Sequence, residues 1–201
     1  MPRNKEINEK MRVESIRKIV ESSTRLFAEK GFSKCKMTEI ADAAEMSVGN
    51  LYWYYKSKKA ILKDVLQVGF EQQKALFYES ISLNLAAEDK MDYLLDRYII
   101  MCRELNHFFR VYINLAASGD LHYLREFGID TIDIGKGYHQ LLINLLDESK
   151  RSSYSDEELN LLPMFFFSFF SGLMLVYGTE WHSIKPERIK DAVKRMLDWK
   201  G

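Results

Sequence analysis

The sequence has few of the residues that interrupt helices. Its 201 residues include only three prolines and ten glycines. Nearly every window has apolar residues at helical spacing, and no convincing alternation of apolar and polar residues indicates a strand or a hairpin. The content of 47% apolar and 29% charged residues is ordinary for a globular protein and argues against disorder. The sequence therefore predicts an all-α fold of about nine helices.

Cysteine and histidine are also scarce. The two cysteines, Cys35 and Cys102, match no disulfide framework and no ligand spacing, so we expect a reducing, cytoplasmic environment. The four histidines form no recognised metal spacing and accompany no motif-borne nucleophile. The pattern thus predicts no catalytic residue, no metal site and no cofactor, and it makes an enzyme the least favoured alternative.

The formal net charge is zero, but the charges are unevenly distributed. Residues 1–63 hold 14 Lys and Arg against 8 Asp and Glu, whereas residues 64–201 hold 15 against 21. Such asymmetry fits a basic head that faces nucleic acid and an acidic body, because attraction to phosphate depends on local charge. An uneven solvated surface would give the same counts, so charge does not decide the function by itself.

The most informative segment is residues 38–58, TEIADAAEMSVGNLYWYYKSK. It predicts a short helix, a tight turn and a second short helix, with the small Ala41 and the apolar Leu51 placed so that the two helices cross closely. In a helix-turn-helix the free face of the second helix enters the DNA major groove. The residues that we assign to DNA binding are Lys36, Thr38, Ser47, Val48, Gly49, Asn50, Tyr52, Trp53, Tyr54 and Lys58.

Individual roles follow from residue chemistry. Ser47 is a suitable N-cap, and Gly49 removes bulk so that the backbone can approach the duplex. The Asn50 amide can pair with a base edge, preferably adenine, and Trp53 offers an apolar contact. Tyr52, Tyr54 and Lys58 are expected to reach phosphates. The alternative is that these aromatic side chains belong to the core, but so many rings cannot all face inward on so short a helix.

This segment and the helix before it resemble the TetR family of transcriptional regulators. The resemblance rests on Leu26-Phe27-x-x-x-Gly31-Phe32, Ile40-Ala41-x-x-Ala44, Met46-Ser47-x-Gly49-x-Leu51-Tyr52-x-Tyr54-Tyr55-x-Ser57-Lys58, and Leu62. It implies a homodimer whose two heads bind a palindromic operator, usually as a repressor. It also implies that the body binds a small ligand, which shifts the heads out of register and releases the DNA.

Two residues depart from the family pattern. Lys36 stands where the family usually has a threonine that caps the first short helix and contacts phosphate. A lysine cannot cap, although it can reach a phosphate directly. Glu45 stands where the family usually has a glycine in the turn, and a positive φ at a non-glycine residue costs on the order of 1 kcal/mol.

The helical pattern divides the chain into a head, residues 1–57, and a helical effector-binding and dimerisation body, residues 58–201. In the head, a polar N-terminal arm, which we expect to be disordered without a partner, precedes a helix over residues 12–30 that Gly31 should end. An unbroken helix over residues 58–83 should join head and body. Further helices are predicted over residues 90–117 and from the capping box of Ser155 and Glu158 to about Trp181.

Residues 161–177, LLPMFFFSFFSGLMLVY, are apolar nearly all round a helix. A membrane span is the rival interpretation, but Pro163, Ser168, Ser171 and Gly172 interrupt the run, and we expect none. A soluble helix of this kind must be covered on every side, so we predict a homodimer interface with the last helix, although packing within one chain would give the same composition. Its predicted residues are Phe166, Phe169, Phe170, Leu173, Tyr177, Ile189, Val193, Met196 and Leu197.

Polar residues that interrupt apolar faces of the body are candidates for an effector site. These candidates, together with the residues that we expect to form the wall of the site, are Met101, Cys102, Asn106, His107, Phe108, Phe109, Tyr112, Tyr138, Phe165 and Trp181. The absence of a charge cluster among them favours a small apolar or aromatic effector. A regulator of the same fold that responds to a protein partner, or to none, is the second hypothesis.

Overall fold

The structure, a computed structural model, describes residues 2–129, 139–140, 142–145 and 155–196. Within these ranges all regular structure is helical, which confirms the predicted fold class. The helices are α1 (Pro2–Lys30), α2 (Met37–Ala43), α3 (Val48–Tyr54), α4 (Lys58–Ser82), α5 (Ala87–Glu104), α6 (Asn106–Ala117), α7 (His122–Glu126), α8 (Asp156–Tyr177) and α9 (Pro186–Met196), with a 3₁₀ helix at Glu180–Ser183. Residues 139–140 and 142–145 are also helical.

Helix α1 is longer than the sequence pattern predicts. It begins at Pro2, so the expectation of a disordered N-terminal arm is wrong. Proline is tolerated in the first turn of a helix, and neither glycine nor proline follows before Gly31. Arg17 adds ion pairs with Glu14 and Glu21, at 2.6 Å each, on the exposed surface of α1. The helix ends as expected, because Gly31 takes the left-handed φ of 81° that glycine adopts without a Cβ clash.

Helix α4 joins the head to the body without a break. The Ser57 hydroxyl caps it by accepting the Ala60 N–H at 3.2 Å, as predicted, and the helix continues to Ser82. It packs against α1 on one side and α5 on the other. One buried cluster contains Phe27 and Leu51 of the head together with Leu66 and Phe170 of the body. The boundary between residues 57 and 58 therefore stays a prediction.

The single helix predicted over residues 90–117 is wrong, because the chain breaks into α5 and α6 at Leu105. That residue has φ −94° and ψ 20°, outside the helical region. The Asn106 amide donates a hydrogen bond to the Gly178 carbonyl at 3.3 Å, which ties the break to the end of α8. Neither glycine nor proline marks this position, so only the contact with a distant segment identifies it.

Helix α8 begins as predicted and ends earlier. Ser155 and Glu158 form the capping box, and Glu158 is exposed to solvent there. The helix ends at Tyr177 rather than near Trp181, which lies in the 3₁₀ helix and is buried. The guanidinium of Arg103 lies 5.4 Å from the Trp181 ring and donates to the Ile184 carbonyl at 2.7 Å.

The inner face of α8 packs within the chain. The rings of Phe166 and Phe170 lie 5.0 and 4.8 Å from the ring of Tyr98 on α5 and are at most 1% exposed. Ile189 and Val193 of α9 are equally enclosed, and α9 packs against α5. These four residues cannot contact a second copy, so their assignment to the dimer interface is wrong.

The outer face of α8 is apolar and exposed. It carries Leu161, Met164, Phe165, Leu175 and Val176, which fall on the same side of the helix at 100° per residue, and Val176 is 71% exposed. Of the other predicted interface residues, Tyr177 and Met196 are exposed, and Phe169 and Leu173 are half-buried. Their contact with a second copy stays a prediction. Leu197 lies outside the described residues. Exposed apolar patches of this kind often mark interaction surfaces.

By length and composition α8 is also the kind of helix that could cross a membrane. Over the window from Glu157 to Tyr177, mean hydropathy is 1.9 and 33% of the residues are buried. Buried helices of soluble proteins pass the same test, and the inner face of α8 packs against other helices. The outer face therefore fits a second protein surface as well as it fits lipid.

Candidate nucleic-acid interface

Helix α3 is held by two buried side chains. Leu51 is fully buried and Tyr55 is 7% exposed, as their predicted role as anchors requires. The Tyr55 hydroxyl donates to Asp64 Oδ2 of α4 at 2.6 Å. Burial and this hydrogen bond raise the pKa of Tyr55, so the phenol stays protonated at neutral pH. Helix α3 is thereby fixed to the long helix of the body.

The opposite face of α3 is open to solvent. Gly49 and Asn50 are exposed, Tyr52 is 44% exposed and Trp53 is 64% exposed. Ser47 caps the helix by accepting the backbone N–H of Asn50 at 3.1 Å. The exposed side-chain amide of Asn50 makes no hydrogen bond among the described residues and has the chemistry to pair with a base edge. Tyr54 and Val48 are half-buried, and the Tyr54 ring packs edge-to-face on Trp53 at 4.7 Å. Trp53 and Tyr52 are therefore not core residues.

The loop between α1 and α2 presents further groups beside this face. Lys36 and Thr38 are exposed, and so is Lys34, which sequence reasoning did not single out. No ion pair of Lys34 occurs in the described part of the chain. The only sequence signal for Lys34 was its position in a basic loop, two residues before Lys36.

Glu39 replaces the side-chain cap that Lys36 cannot supply. Its carboxylate accepts the Lys36 backbone N–H at 2.8 Å and the ammonium of Lys30 at 2.7 Å. These two hydrogen bonds, with that of Lys30 the larger, lower the pKa of Glu39. The start of α2 is thus stabilised without threonine, and the Lys36 side chain remains available to phosphate.

Lys58 has a different role from the one predicted. Its ammonium donates to the carbonyls of Phe32, Ser33 and Cys35 at 2.5, 3.1 and 2.7 Å, and it lies 4.6 Å from the centre of the Phe32 ring. All three N–H donors of a lysine are then occupied. In this structure Lys58 fastens the α1–α2 loop to α4, and the expected phosphate contact stays a prediction that would require its release.

Glu45 adopts the conformation that its position in the turn predicts. Its φ is 57°, in the left-handed region that favours glycine. The only ion pair of Glu45 among the described residues, with Lys18, is 3.9 Å long and exposed, so it contributes little. The turn therefore carries strain that a glycine would relieve.

We expect Glu45→Gly to stabilise the protein by up to about 1 kcal/mol, because glycine reaches this φ freely and loses part of the gain to its more flexible unfolded chain. The midpoint of urea unfolding measures the effect. Glu45→Ala, which removes the same carboxylate but keeps Cβ, should give no such gain. Equal gains in both variants would mean that charge, and not backbone strain, is being relieved.

The comparisons with known proteins agree with this geometry. Residues 19–65 match the family model for bacterial regulatory proteins of the tetR family. The negative transcriptional regulator IcaR of the biofilm operon icaADBC in Staphylococcus aureus is 22% identical over 183 residues, which cover 90% of this chain and 96% of IcaR. The matched segment contains the whole helix-turn-helix. Residues 19–65 therefore form a DNA-binding domain of the TetR family. The protein is a DNA-binding transcriptional regulator.

Solved structures show the same fold over nearly the whole chain. A TetR-family regulator from Bordetella parapertussis superposes with a TM-score of 0.74 at 18% identity, over 91% of this chain and 94% of that one. The fatty acid degradation regulator FadR from Bacillus halodurans gives 0.66 at 19% identity, over 90% and 93%. At these identities the similarity is evidence for the fold of this chain and not for its effector.

The predicted effector residues of the body are mostly buried. Met101, Cys102, Asn106, Phe109 and Trp181 are buried, and burial raises the pKa of the Cys102 thiol. Tyr112 is half-buried beside Phe70, and burial raises its pKa. Tyr138 lies outside the described residues.

Three of the predicted effector residues lie elsewhere. Phe165 is 54% exposed on the outer face of α8, so its assignment to the wall of an interior pocket is wrong. His107 and Phe108 line a groove between α1, α4 and the start of α6, where head and body meet. Among the described residues, no group of His, Cys, Asp and Glu could hold a metal ion.

Proposed function

We propose that this protein is a transcriptional repressor that binds a palindromic operator as a homodimer and releases it when a small apolar or aromatic effector binds. The observation that carries the proposal is the open face of α3, where Asn50 and Trp53 are exposed opposite the buried Leu51. Large exposed aromatic rings beside exposed polar groups, here Trp53 and Tyr52 beside Asn50, suit a surface that a partner covers. The major groove admits a helix of this kind.

The outer face of α8 supports the dimer. A helix related to its copy by two-fold symmetry presents the same surface to itself, so one apolar face suffices to build an interface. Two heads fixed to one dimer would then meet two half-sites of an operator. The exposed apolar residues of the outer face of α8 fit this role better than the four buried residues that the sequence suggested.

Repression and cytoplasmic location are supported by the relatives. IcaR is a negative regulator, and a regulator that acts on the chromosome works in the bacterial cytoplasm. The unbroken α4 supports a response to an effector, because a rigid helix transmits a shift in the body to the head. An effector acts in this way only if it binds the released state more tightly than the DNA-bound state.

The proposal is tested by footprinting the protein on the DNA around its own gene and measuring operator affinity by fluorescence polarisation. We expect Asn50→Ala to lose about 1–3 kcal/mol of discrimination between the operator and a sequence altered at one base pair, because the amide can no longer pair with a base edge. Its affinity for unrelated DNA should change little. Protection of no site, or an Asn50→Ala variant that discriminates as well as the parent, would contradict this assignment.

Lys34→Ala is the matched control. Loss of one phosphate contact should weaken binding to all sequences alike and reduce the slope of log affinity against log salt by about 1. Discrimination between operator and altered operator should be unchanged. The two variants together separate sequence recognition by α3 from the electrostatic attraction of the loop.

A further inference from the structure

A groove of about 600 Å³ lies where the head meets the body, between α1, α4 and the start of α6. Its volume is within the range of small-molecule sites. The walls are largely apolar, and Val13 and Val68 on either side are 58% and 46% exposed. The side chains that define the groove are Val13, Ile16, Val20, Val68, Leu105 and Phe108.

The floor of the groove is the ring of Phe108, which packs against the backbone of α4 at Gly69. A Cβ on Gly69 would lie 2.1 Å from the Phe108 ring, so that ring can take its position only because residue 69 is glycine. Phe108 also packs edge-to-face on Phe70 at 5.3 Å. The floor is therefore an aromatic surface that tight packing fixes in place, which suits an apolar or aromatic ligand.

The rim of the groove is acidic. Arg17, Glu21 and Glu104 line it, and Arg17 is already paired with Glu14 and Glu21. Glu104 is exposed, and no ion pair of Glu104 occurs in the described part of the chain. His107 also lines the groove, and its enclosed Nδ1 atom has no hydrogen-bond partner among the described residues. A carboxylate without a counter-ion and an unpartnered imidazole nitrogen suit a ligand that carries a positive charge and N–H donors.

We propose that this groove binds a small amphipathic cation, with an apolar ring on Phe108 and the flanking valines and a protonated amine toward Glu104 and His107. The inference rests on the proposed function and assigns a site to its effector. An occupant would lie between α1 of the head and α4 and α6 of the body, whose packing fixes the head. Ligand binding there would favour a different position of the head and so weaken operator binding.

The test uses three probes of one shape, 1-naphthylmethylammonium, 1-naphthalenemethanol and 1-naphthoate, titrated into the full chain by calorimetry at low salt. The cation should bind most tightly, up to about fivefold better than the alcohol, and the naphthoate least, because one exposed charge pair contributes up to about 1 kcal/mol. Higher salt should reduce the difference. The cation should also release a fluorescent operator at the concentrations at which it binds.

Two variants locate the site. Val68→Trp, which fills the groove from α4, should weaken binding of the cation at least tenfold, whereas Tyr78→Trp, at an exposed position elsewhere on α4, should not. Glu104→Gln removes the charge with little change of shape, so it should erase the preference for the cation over the alcohol. Unfolding curves and operator binding without probe show whether each variant is folded.

The outcomes also separate this inference from the proposed function. If no probe binds, or if the cation binds equally to the parent, Val68→Trp and Glu104→Gln, the groove site is wrong while operator binding can still stand. If the protein alone, with no probe added, binds no operator, the proposed function is contradicted instead. Binding of the naphthoate in preference to the cation would overturn the assigned ligand charge.

Discussion

A single glutamate in the outer face of α8, Val176→Glu, is expected to turn the proposed dimer into a monomer and to abolish tight operator binding. Val176 is 71% exposed in the single chain and lies beside Leu175 on the same apolar face. In a two-fold interface the substitution places one carboxylate on each copy. Burying an unpaired carboxylate costs several kcal/mol, so the dissociation constant of the dimer should rise by at least about a thousandfold.

Operator binding should fall with dimerisation because the two heads act together. The second head of a dimer binds at a high effective concentration, which contributes about a hundredfold or more to the affinity for a palindrome. A monomer with an intact head would retain only the affinity for a half-site. Sedimentation velocity measures the mass of the particle, and polarisation with full and half operators measures the two affinities.

Leu85→Glu is the matched control, since Leu85 is 45% exposed on the loop after α4. It adds the same charge at an exposed apolar residue without touching the outer face of α8. A Val176→Glu variant that stays dimeric and binds the full operator like the parent would exclude this face as the interface. A parent protein that is itself a monomer at micromolar concentration would contradict the dimer proposal directly.

Helix α8 also shows where sequence reasoning stops. Its start, its capping box and its apolar character were predictable, because each depends on local residue chemistry. Its inner face was not, because a helix that is apolar all round has no polar side to indicate its orientation. Phe165 was predicted to face a pocket and Phe166 a partner, and the packing of Tyr98 against Phe166 reverses both.

Helix α3 was predicted better because it has two unlike faces. Leu51 and Tyr55 are buried and Asn50 is exposed, as a short helix with apolar residues four apart requires. The positive φ of Glu45 was also foreseeable from the turn that joins two crossing helices. The break at Leu105 was not, because it is stabilised by a contact between Asn106 and Gly178, which are far apart in sequence.

Lys58 was predicted in part: its position was predictable, and the direction of its side chain was not. Its place after the Ser57 cap was predictable, but the direction of its side chain depends on where the α1–α2 loop ends in space. Three carbonyl oxygens of that loop converge on its ammonium, and the same loop carries Lys34 and Lys36. The phosphate-contact role and the loop-fastening role therefore lead to different results when the charge is removed.

Lys58→Met, which keeps the unbranched apolar part of the side chain and removes its donors, is expected to destabilise the protein by about 2–3 kcal/mol. Hydrogen bonds to a charged group contribute about 1.5–3 kcal/mol each, but Ser33 is exposed and water can replace part of the loss. The melting temperature should fall by several degrees. Operator affinity should drop about tenfold or more, because Lys34 and Lys36 lose their fixed position beside α3. Thermal unfolding and operator titration over a range of salt concentrations measure the two effects.

The comparison with Lys56→Met and Lys58→Arg decides between the two roles. Lys56 is exposed and, among the described residues, donates only to the Tyr52 carbonyl at 3.0 Å, so its replacement should leave the melting temperature nearly unchanged. Arginine at position 58 keeps the charge, but its planar fork cannot direct three donors of one nitrogen to three converging carbonyls, so stability should be recovered only in part. If Lys58 instead contacts phosphate, Lys58→Met should keep its melting temperature, Lys58→Arg should bind DNA like the parent, and the salt slope of Lys58→Met should fall by about 1. A loss of stability in Lys58→Met that arginine only partly restores would establish that this lysine serves DNA binding by holding the loop in place.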